Sequence, residues 1–212
     1  MLKVTYHKST KQRKSKLNGL NSINTSVLSN QFCSKMRTDK NSICSSCYAA
    51  KQEKQYKNVK LRYLDHLQIL DESILTNREV LSLKFDSKYI RFHSFGELAS
   101  LNHLLNLYKI CYLNRRKNFT LWTKRIDIIS QLNFKPSNLR LIYSNPIIDK
   151  KVPVPFLKHL KSLNFTGVFN VWNKKTALNQ GTNINCHKNC NDCLLCYKDY
   201  NKGIMQVNEI IK

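Results

Sequence analysis

The stretch YIRFHSFGELASLNHLLNLYKICYLNRRKNFTLWTK, residues 89–124, predicts the fold of this chain. Its first six residues alternate as a strand does, residues 98–113 follow a helical apolar period, and residues 119–124 are again strand-like. A helix between two short apolar runs is typical of a parallel βα unit. The segment therefore predicts an α/β fold with parallel strands.

The same alternation continues on both sides of this stretch. Downstream, the sequence predicts a short helix at 125–132, a strand at 139–144, a helix at 155–163 and a strand at 167–172. Upstream, apolar residues recur every three or four positions over residues 56–70, which predicts an amphipathic helix, and residues 26–29 suggest one more short strand. With about five or six strands, we expect a partial (β/α) barrel or an open, mostly parallel sheet.

The composition divides the chain into three regions. Residues 1–30 are polar and basic and predict an N-terminal arm, either solvated or in contact with nucleic acid. Residues 31–172 carry the α/β pattern and form the predicted metal-binding core. Residues 173–212 are rich in Asn and Cys and predict a segment that metal pins to the core.

The net charge of +23 predicts an anionic partner. An excess of Lys and Arg over Asp and Glu attracts phosphate backbones through counterion release, so we expect nucleic acid to be that partner. The candidate contacts in the arm and near later strand ends are Lys8, Lys11, Arg13, Lys14, Lys16, Arg125, Lys174 and Lys175.

Several classes of protein lack support in the sequence. No apolar run approaches the length of a membrane span, and the N-terminus lacks the apolar centre of a secretory signal, so we expect an intracellular, cytoplasmic protein with no membrane partner. The chain contains no P-loop, Rossmann glycine fingerprint, HExxH helix or Ser-His-Asp set. The oligomeric state is open at this stage.

Seven of the eight cysteines form two clusters, whose spacing favours metal ligation over disulfides. Cys33, Cys44 and Cys47 supply three thiolates, which would leave one coordination position open unless a cysteine of the other set closes it. The second set is self-sufficient and consists of Cys186, Cys190, Cys193 and Cys196. Iron–sulfur clusters, one or two of the four-iron type, and zinc both suit such ligands.

Functional groups are expected where predicted strands end, because the loops there share one edge of a parallel sheet. The strand at 89–94 ends in His93, followed by Gly96 and Glu97, and the next ends in Lys124. Glu97 and His93 are the candidate catalytic residues, and Gly96, Glu97 and Lys124 the candidate cofactor-binding residues. The alternatives are a buried histidine, a turn with a helix-start carboxylate, and a solvated lysine.

A cysteine loop after the first strand and a glutamate turn after the second resemble the core of radical S-adenosylmethionine enzymes. The resemblance implies that an open iron chelates S-adenosylmethionine and that Gly96 and Glu97 contact its methionine part. Two departures stand in the sequence. Ten residues separate Cys33 from Cys44 where that superfamily has three, and Phe95 replaces the first glycine of the turn.

Motifs along nearly the whole chain resemble the phage gene product 88 family. They are CSSCYA (44–49), IRFHSFGEL (90–98), LWTK (121–124) and CHKNCNDCLLCY (186–197), in that order. The resemblance implies that both cysteine sets are metal ligands, and it implies the cytoplasm of a host cell as the location.

These observations lead to one leading hypothesis and two alternatives. The leading hypothesis is an iron–sulfur enzyme with a radical S-adenosylmethionine-like core that acts on or with nucleic acid. The alternatives are a zinc-stabilised nucleic-acid-binding protein without catalysis, and an iron–sulfur protein for electron transfer or redox sensing.

Overall fold

The computed structural model describes residues 1–11, 15–198 and 203–211. Within these residues, seven strands form one open sheet in the order β1 to β7, with β1 antiparallel to β2 and each later strand parallel to the one before it. The fold is therefore the α/β class that the sequence predicts, with an open, mostly parallel sheet.

The elements follow one another along the chain as strands with helical connections. The strands are β1 Thr5–Tyr6, β2 Asn21–Ile23, β3 Tyr89–Phe92, β4 Asn118–Thr123, β5 Leu139–Ser144, β6 Phe165–Trp172 and β7 Met205–Ile210. The helices are α1 Gln31–Thr38, α2 Tyr48–Gln55, α3 Lys57–Glu72, α4 Asn77–Leu81, α5 Leu101–Leu113, α6 Ile126–Ile129, α7 Val154–Ser162, α8 Lys174–Asn179 and α9 Cys190–Cys193, with 3-10 turns at Ile43–Ser46 and Leu195–Tyr197.

One face of the sheet is covered by helices. Parallel strands that are neighbours in sequence order, joined by crossovers of one hand, place their connecting helices on the same side. The main apolar core lies there, and it contains the stacked rings of Phe92 and Phe119, whose centroids are 5.1 Å apart. Leu104 and Leu107 of α5 are fully buried in the same core.

The opposite face of the sheet carries a second, smaller apolar cluster. Ile142, Met205 and Val207 are buried there, and Trp122 packs beside them. The cysteine-rich stretch that includes α9 covers this cluster, with Cys186 and Cys196 in contact with it. The first cysteine set lies at the edge of the sheet, and the second lies on the face without the main helical layer.

The predicted elements from residue 89 to 172 are confirmed, and two earlier ones differ from the structure. Residues 26–29 are not a strand, since β2 is Asn21–Ile23 and the amides of Val27 and Leu28 bind the Glu53 carboxylate. The helix predicted from residue 56 begins at Lys57. Tyr56 lies between α2 and α3 and is exposed, so it does not belong to the apolar side of α3.

Both expected terminal regions contribute to the sheet. Residues 1–30 supply β1 and β2, and residues 205–210 supply the other edge strand. Polar side chains conceal β2 from a hydropathy pattern, since Asn21 and Ser22 are buried and Asn21 accepts a hydrogen bond from the amide of Ser87. No helix within the described residues is long and apolar enough to cross a membrane.

Candidate functional site

The first cysteine set lies at the carboxyl edge of the parallel sheet. Cys33 is on α1, Cys44 is in the following 3-10 turn, and Cys47 immediately precedes α2. All three are half-buried, and Cys33 and Cys47 pack, as Phe95 does, against the apolar cluster of Val27, Ala49 and Ala50. The structure thus places the three thiols beside the loop that follows β3, as the order of the motifs predicts.

Asn30 connects the start of α1 to the loop after β3. It is 2% exposed, its Oδ1 accepts a hydrogen bond from the Cys33 amide at 3.1 Å, and its Nδ2 donates to the Glu97 carbonyl at 3.0 Å. The first contact is a helix N-cap. Asn30 therefore holds Cys33 at a set position relative to Glu97.

Glu53 stabilises the loop that leads into the first cysteine set. Its carboxylate accepts hydrogen bonds from the Ser26 hydroxyl at 3.0 Å and from the amides of Val27 and Leu28 at 3.1 and 3.0 Å. Burial raises the pKa of Glu53 against these hydrogen bonds. Sequence reasoning missed this residue, because a single Glu in a lysine-rich helix carries no signal of burial.

Glu97 lies buried between the ends of β3 and β4. One oxygen of its carboxylate accepts from the Thr123 hydroxyl at 2.5 Å and the Leu98 amide at 2.9 Å, and the other accepts from the Lys124 amide at 2.9 Å. Burial raises the pKa of Glu97, while the charge of Lys124 and these hydrogen bonds oppose the rise. The carboxylate ties two strand ends together, and its contact with a cofactor stays a prediction.

Gly96 adopts a φ of +110°, in the region that favours glycine. A Cβ at this position would lie 2.1 Å from the Thr25 hydroxyl and 3.0 Å from the Thr25 carbonyl oxygen. At Gly96 the backbone therefore lies against Thr25, which sets the position of the turn that carries Glu97, and the cofactor contact expected for Gly96 stays a prediction.

Lys124 extends its ammonium toward the first cysteine set. Its Nζ donates to the Ser144 hydroxyl at 3.2 Å. Burial would lower the pKa of Lys124, but the charges of Cys44, Glu97, Cys33 and Cys47 together raise it. Burial and the charge of Glu97 raise the pKa of the Cys33 thiol, and Lys124 opposes this. Lys124 is therefore placed to compensate negative charge at this site.

His93 points into the protein and pairs with another histidine. It is 4% exposed with a φ of +59°, and its Nε2 lies 3.2 Å from the Nε2 of His103. Burial and the proximity of His103 hold the pKa of His93 well below its usual value. The structure thus places His93 in a buried pair, and the catalytic role expected for it stays a prediction.

The second cysteine set surrounds a cavity of about 50 Å³ on the other face of the sheet. Cys186, Cys190, Cys193 and Cys196 all line it, together with Lys16 and side chains that include Arg91, Trp122 and Tyr197. The guanidinium of Arg91 lies 3.8 Å above the Trp122 ring. Burial raises the pKa of Cys196 to about 12, against the positive charge of Arg91.

Lys16 belongs to this cavity as well. Its Nζ donates to the Cys186 carbonyl at 2.9 Å, to the Cys186 sulfur at 3.2 Å and to Glu209 at 2.5 Å. The ammonium thereby joins the N-terminal region to β7. The Lys16 ammonium thus makes its contacts within the protein, and the nucleic-acid contact expected for it stays a prediction.

The two cysteine sets pack in separate apolar clusters. The first lies with Val27 and Phe95, and the second lies with Ile142 and Met205. All eight cysteines fall in the described residues, and none forms a disulfide. In the same part of the chain, no three His, Cys, Asp or Glu side chains are arranged so that they could hold one metal ion.

The remaining candidates for nucleic-acid contact differ in exposure. Lys8, Lys11, Lys174 and Lys175 are exposed, whereas Arg13 and Lys14 lie outside the described residues. Arg125 donates to the carbonyls of Leu98 and Ala99 and pairs with Asp127 at 2.7 Å. The Arg125 guanidinium is therefore bound within the protein, and the nucleic-acid contact expected for it stays a prediction.

Fold and site together define an α/β protein with a singly wound parallel sheet and two cysteine sets on its carboxyl edge and open face. A family model described as gene product 88 matches residues 1–202, and the chain belongs to this family. Comparisons with curated proteins and with solved structures found no match.

Proposed function

We propose that this protein is an iron–sulfur enzyme that acts on or with nucleic acid. The observation that carries the proposal is the position of the first cysteine set. Three half-buried thiols lie at the carboxyl edge of a parallel sheet, beside Lys124 and the buried Glu97. Reaction sites in singly wound parallel folds lie at this edge.

The second set has the four thiolates that either a zinc ion or a four-iron cluster would take, and the two groups differ in the spacing of the sulfurs. Four thiolates that share one zinc lie about 3.8 Å apart, since each Zn–S bond is about 2.3 Å and the geometry is tetrahedral. In a four-iron cluster each cysteine binds a different iron, so the sulfurs lie farther apart. All four cysteines line one cavity, and we favour the cluster because the spacing of Cys186, Cys190, Cys193 and Cys196 resembles that of ferredoxin ligand runs.

The chain's own residues prepare the first site for a group with net negative charge. Lys124 supplies a cation, Val27 and Phe95 form an apolar wall, and Asn30 fixes the backbone at Cys33. When bound, a cluster with an open iron supplies an electron to S-adenosylmethionine. The role of the protein is then to orient and shield this chemistry.

The second site is the proposed auxiliary cluster. Lys16 donates to the Cys186 sulfur, and Arg91 lies close enough to Cys186, Cys190 and Cys196 to affect their pKa values. Hydrogen bonds and nearby charge are two means by which a protein sets the reduction potential of a cluster. Both cations therefore support a redox-active group in this cavity.

Metal and sulfide analysis tests the proposal. We expect protein purified without oxygen to contain iron and acid-labile sulfide in near-equal amounts and to absorb in the visible range. The double variant Cys33→Ala/Cys47→Ala and the double variant Cys190→Ala/Cys193→Ala should each lose about half of the iron, because each removes the ligands of one cluster. Cys111→Ala, in the apolar core, is the control and should retain the iron.

S-adenosylmethionine then separates an enzyme from the alternatives. Its addition should change the electron paramagnetic resonance spectrum of the reduced protein, and this change should disappear in Cys33→Ala/Cys47→Ala but persist in Cys190→Ala/Cys193→Ala. A cluster that is reduced reversibly and never responds would leave an electron-transfer or redox-sensing protein. Zinc without sulfide would contradict the proposal and leave the zinc-stabilised nucleic-acid-binding protein.

A further inference from the structure

The surface formed by α2 and the first turn of α3 carries positive charge that no neighbouring acidic residue balances. Lys51 and Lys54 on α2 are exposed, as are Lys57 and Lys60 on α3. Residues three apart on a helix lie on the same side, so each pair forms one patch. In the described part of the chain, none of these four lysines lies in an ion pair.

The acidic residue within this segment does not reduce the surface charge. Glu53 is the one Asp or Glu between residues 40 and 64, and it is buried with its carboxylate on the loop after β2. The cationic side chains therefore face solvent without a partner on the same surface. Such a surface is complementary to a chain of phosphates.

Two exposed tyrosines accompany the lysines. Tyr48 is 58% exposed and Tyr56 is 51% exposed. The Tyr48 hydroxyl donates to the Ser94 carbonyl at 2.6 Å, and its ring meets Phe95 edge-on with centroids 5.4 Å apart. The ring is thus held in one orientation while much of it stays in contact with water.

An exposed aromatic ring on a basic surface is the feature by which proteins bind unpaired bases. Each base has a π face, so stacking on Tyr is tolerant of sequence, and lysines spaced along the surface follow the phosphates. A duplex offers no unstacked bases to these rings. The occupant that fits is therefore a single strand.

The position of Tyr48 connects this surface to the first cysteine set. Tyr48 follows Cys47 directly in the chain, and its ring packs against Phe95, which lies on the same small apolar cluster as Cys33 and Cys47. A base stacked on Tyr48 would lie next to that site. The surface could thus present a nucleotide to the chemistry at the carboxyl edge of the sheet.

We propose that the surface of Tyr48, Lys51, Lys54, Tyr56, Lys57 and Lys60 binds single-stranded nucleic acid and places a base beside the first cysteine set. This inference rests on the proposed function, in which nucleic acid is the partner. It adds where on the protein the nucleic acid binds, that it is single-stranded, and that one of its bases lies beside the first cysteine set.

Fluorescence anisotropy with the full chain tests the surface. The probe is a labelled twelve-nucleotide oligothymidylate, titrated over a range of salt concentrations. We expect the variant with Gln in place of Lys51, Lys54, Lys57 and Lys60 to bind at least tenfold more weakly at about 100 mM salt, with the slope of log K against log salt smaller by about 3, because four phosphate contacts are lost. The control variant replaces Lys150, Lys151, Lys158 and Lys161, exposed lysines in and before α7, by Gln and should bind within about threefold of wild type, since long-range charge is screened.

The tyrosines are tested separately from the charge. Tyr56→Ala should weaken oligothymidylate binding about tenfold without changing the salt slope, because stacking releases no counterions. A 5-iodouridine within the oligonucleotide should cross-link to Tyr48 or Tyr56 on irradiation, as mapped by mass spectrometry. Tyr48→Phe, which retains the ring, should bind within about threefold of wild type.

The outcomes separate this inference from the function on which it rests. Equal weakening by both lysine variants, or equal affinity for a duplex of the same length, would overturn the assigned surface while nucleic acid stays the partner. Absence of binding to any oligonucleotide, or binding to phosphatidylserine vesicles instead, would overturn both. As a control, the iron and sulfide contents of every variant are compared with those of wild type. Equal contents would show that a loss of binding arises at the substituted surface and not from damage to the cysteine sites.

Discussion

The buried carboxylate of Glu53 stabilises the loop that leads into the first cysteine set. Glu53 is 0% exposed, yet three hydrogen bonds to Ser26, Val27 and Leu28 satisfy its carboxylate. Buried carboxylates are stable only when they are hydrogen-bonded or paired in this way. Glu53 thus holds the chain that connects β2 to the first cysteine set.

We predict that Glu53→Gln lowers the free energy of unfolding by about 2 to 4 kcal/mol, because the Gln amide group would face donors and leave one of them unsatisfied. Urea unfolding followed by circular dichroism measures this change. The matched control is Glu72→Gln, an exposed position on α3, which should shift the free energy by less than about 0.5 kcal/mol. Equal effects of the two substitutions would show that the carboxylate of Glu53 has no structural role.

Among the elements, α1 is held mainly by hydrogen bonds, and Asn30, which precedes the helix, makes two of them. The helix is eight residues long and buries no residue fully, so apolar packing contributes little to its stability. Helices of this length are marginal without tertiary contacts. The hydrogen bond of Asn30 to the Glu97 carbonyl supplies one such contact, and its hydrogen bond to the Cys33 amide caps the helix locally.

Two substitutions of Asn30 separate its contacts. Ser keeps an N-cap acceptor but is too short to reach the Glu97 carbonyl, so we expect Asn30→Ser to cost about 1 kcal/mol of folding free energy. Ala removes both contacts, and we expect Asn30→Ala to cost about 2 kcal/mol. Denaturant titration measures both values. If Ala destabilised the protein no more than Ser does, the N-cap would not contribute.

For the whole molecule, buried histidines determine how stability responds to acid. The Ala99 amide donates to Nδ1 of His103 at 3.2 Å, so the proton of neutral His103 lies on Nε2 and points to Nε2 of His93. Protonation of His103 would add a hydrogen to Nδ1, which would then face the hydrogen of the Ala99 amide. Burial accordingly lowers the pKa of His103 to about 3, and His66 is lowered as well, chiefly by burial.

A depressed histidine pKa makes the protein less stable as the pH falls. The unfolded chain binds a proton at His103 below about pH 6.5 and the folded chain does not, so each pH unit between about 6.5 and 3 removes about 1.4 kcal/mol of stability per such histidine. We predict that the stability advantage of wild type over His103→Asn shrinks by about 2 to 3 kcal/mol between about pH 6.5 and 4.5.

The comparison with His103→Asn isolates this contribution. Glu53 and Glu97 have raised pKa values and act in the opposite direction, since stability linked to them is lost as pH rises. Both carboxylates are common to wild type and the variant. Asn retains an acceptor for the Ala99 amide, and urea unfolding at several pH values gives the difference. A difference that is independent of pH would contradict the assigned protonation state.

The sequence predicted the parts of the fold that follow a local apolar period. Burial alternates along β3, β4 to β6 are short apolar runs that are buried on both faces, and the apolar residues of the helices between them recur every three to four positions. The cysteine spacing likewise identified both thiol sets. Strands β2 and β7 escaped prediction, because the buried side chains of Asn21 and Asn208, which are in hydrogen bonds, interrupt their apolar pattern.

Local pattern alone thus specifies an α/β chain with alternating strands and helices and two groups of thiols, whereas the order of the strands in the sheet comes from the folded protein. The partners of Lys16, Asn30, Glu53 and Glu97 come from the folded protein, and Lys16 and Glu209 are 193 positions apart in the chain. Such contacts depend on which loops meet at an edge of the sheet. A periodic apolar pattern depends only on residues a few positions apart in the chain. Which distant loops come together depends instead on how all the strands pair.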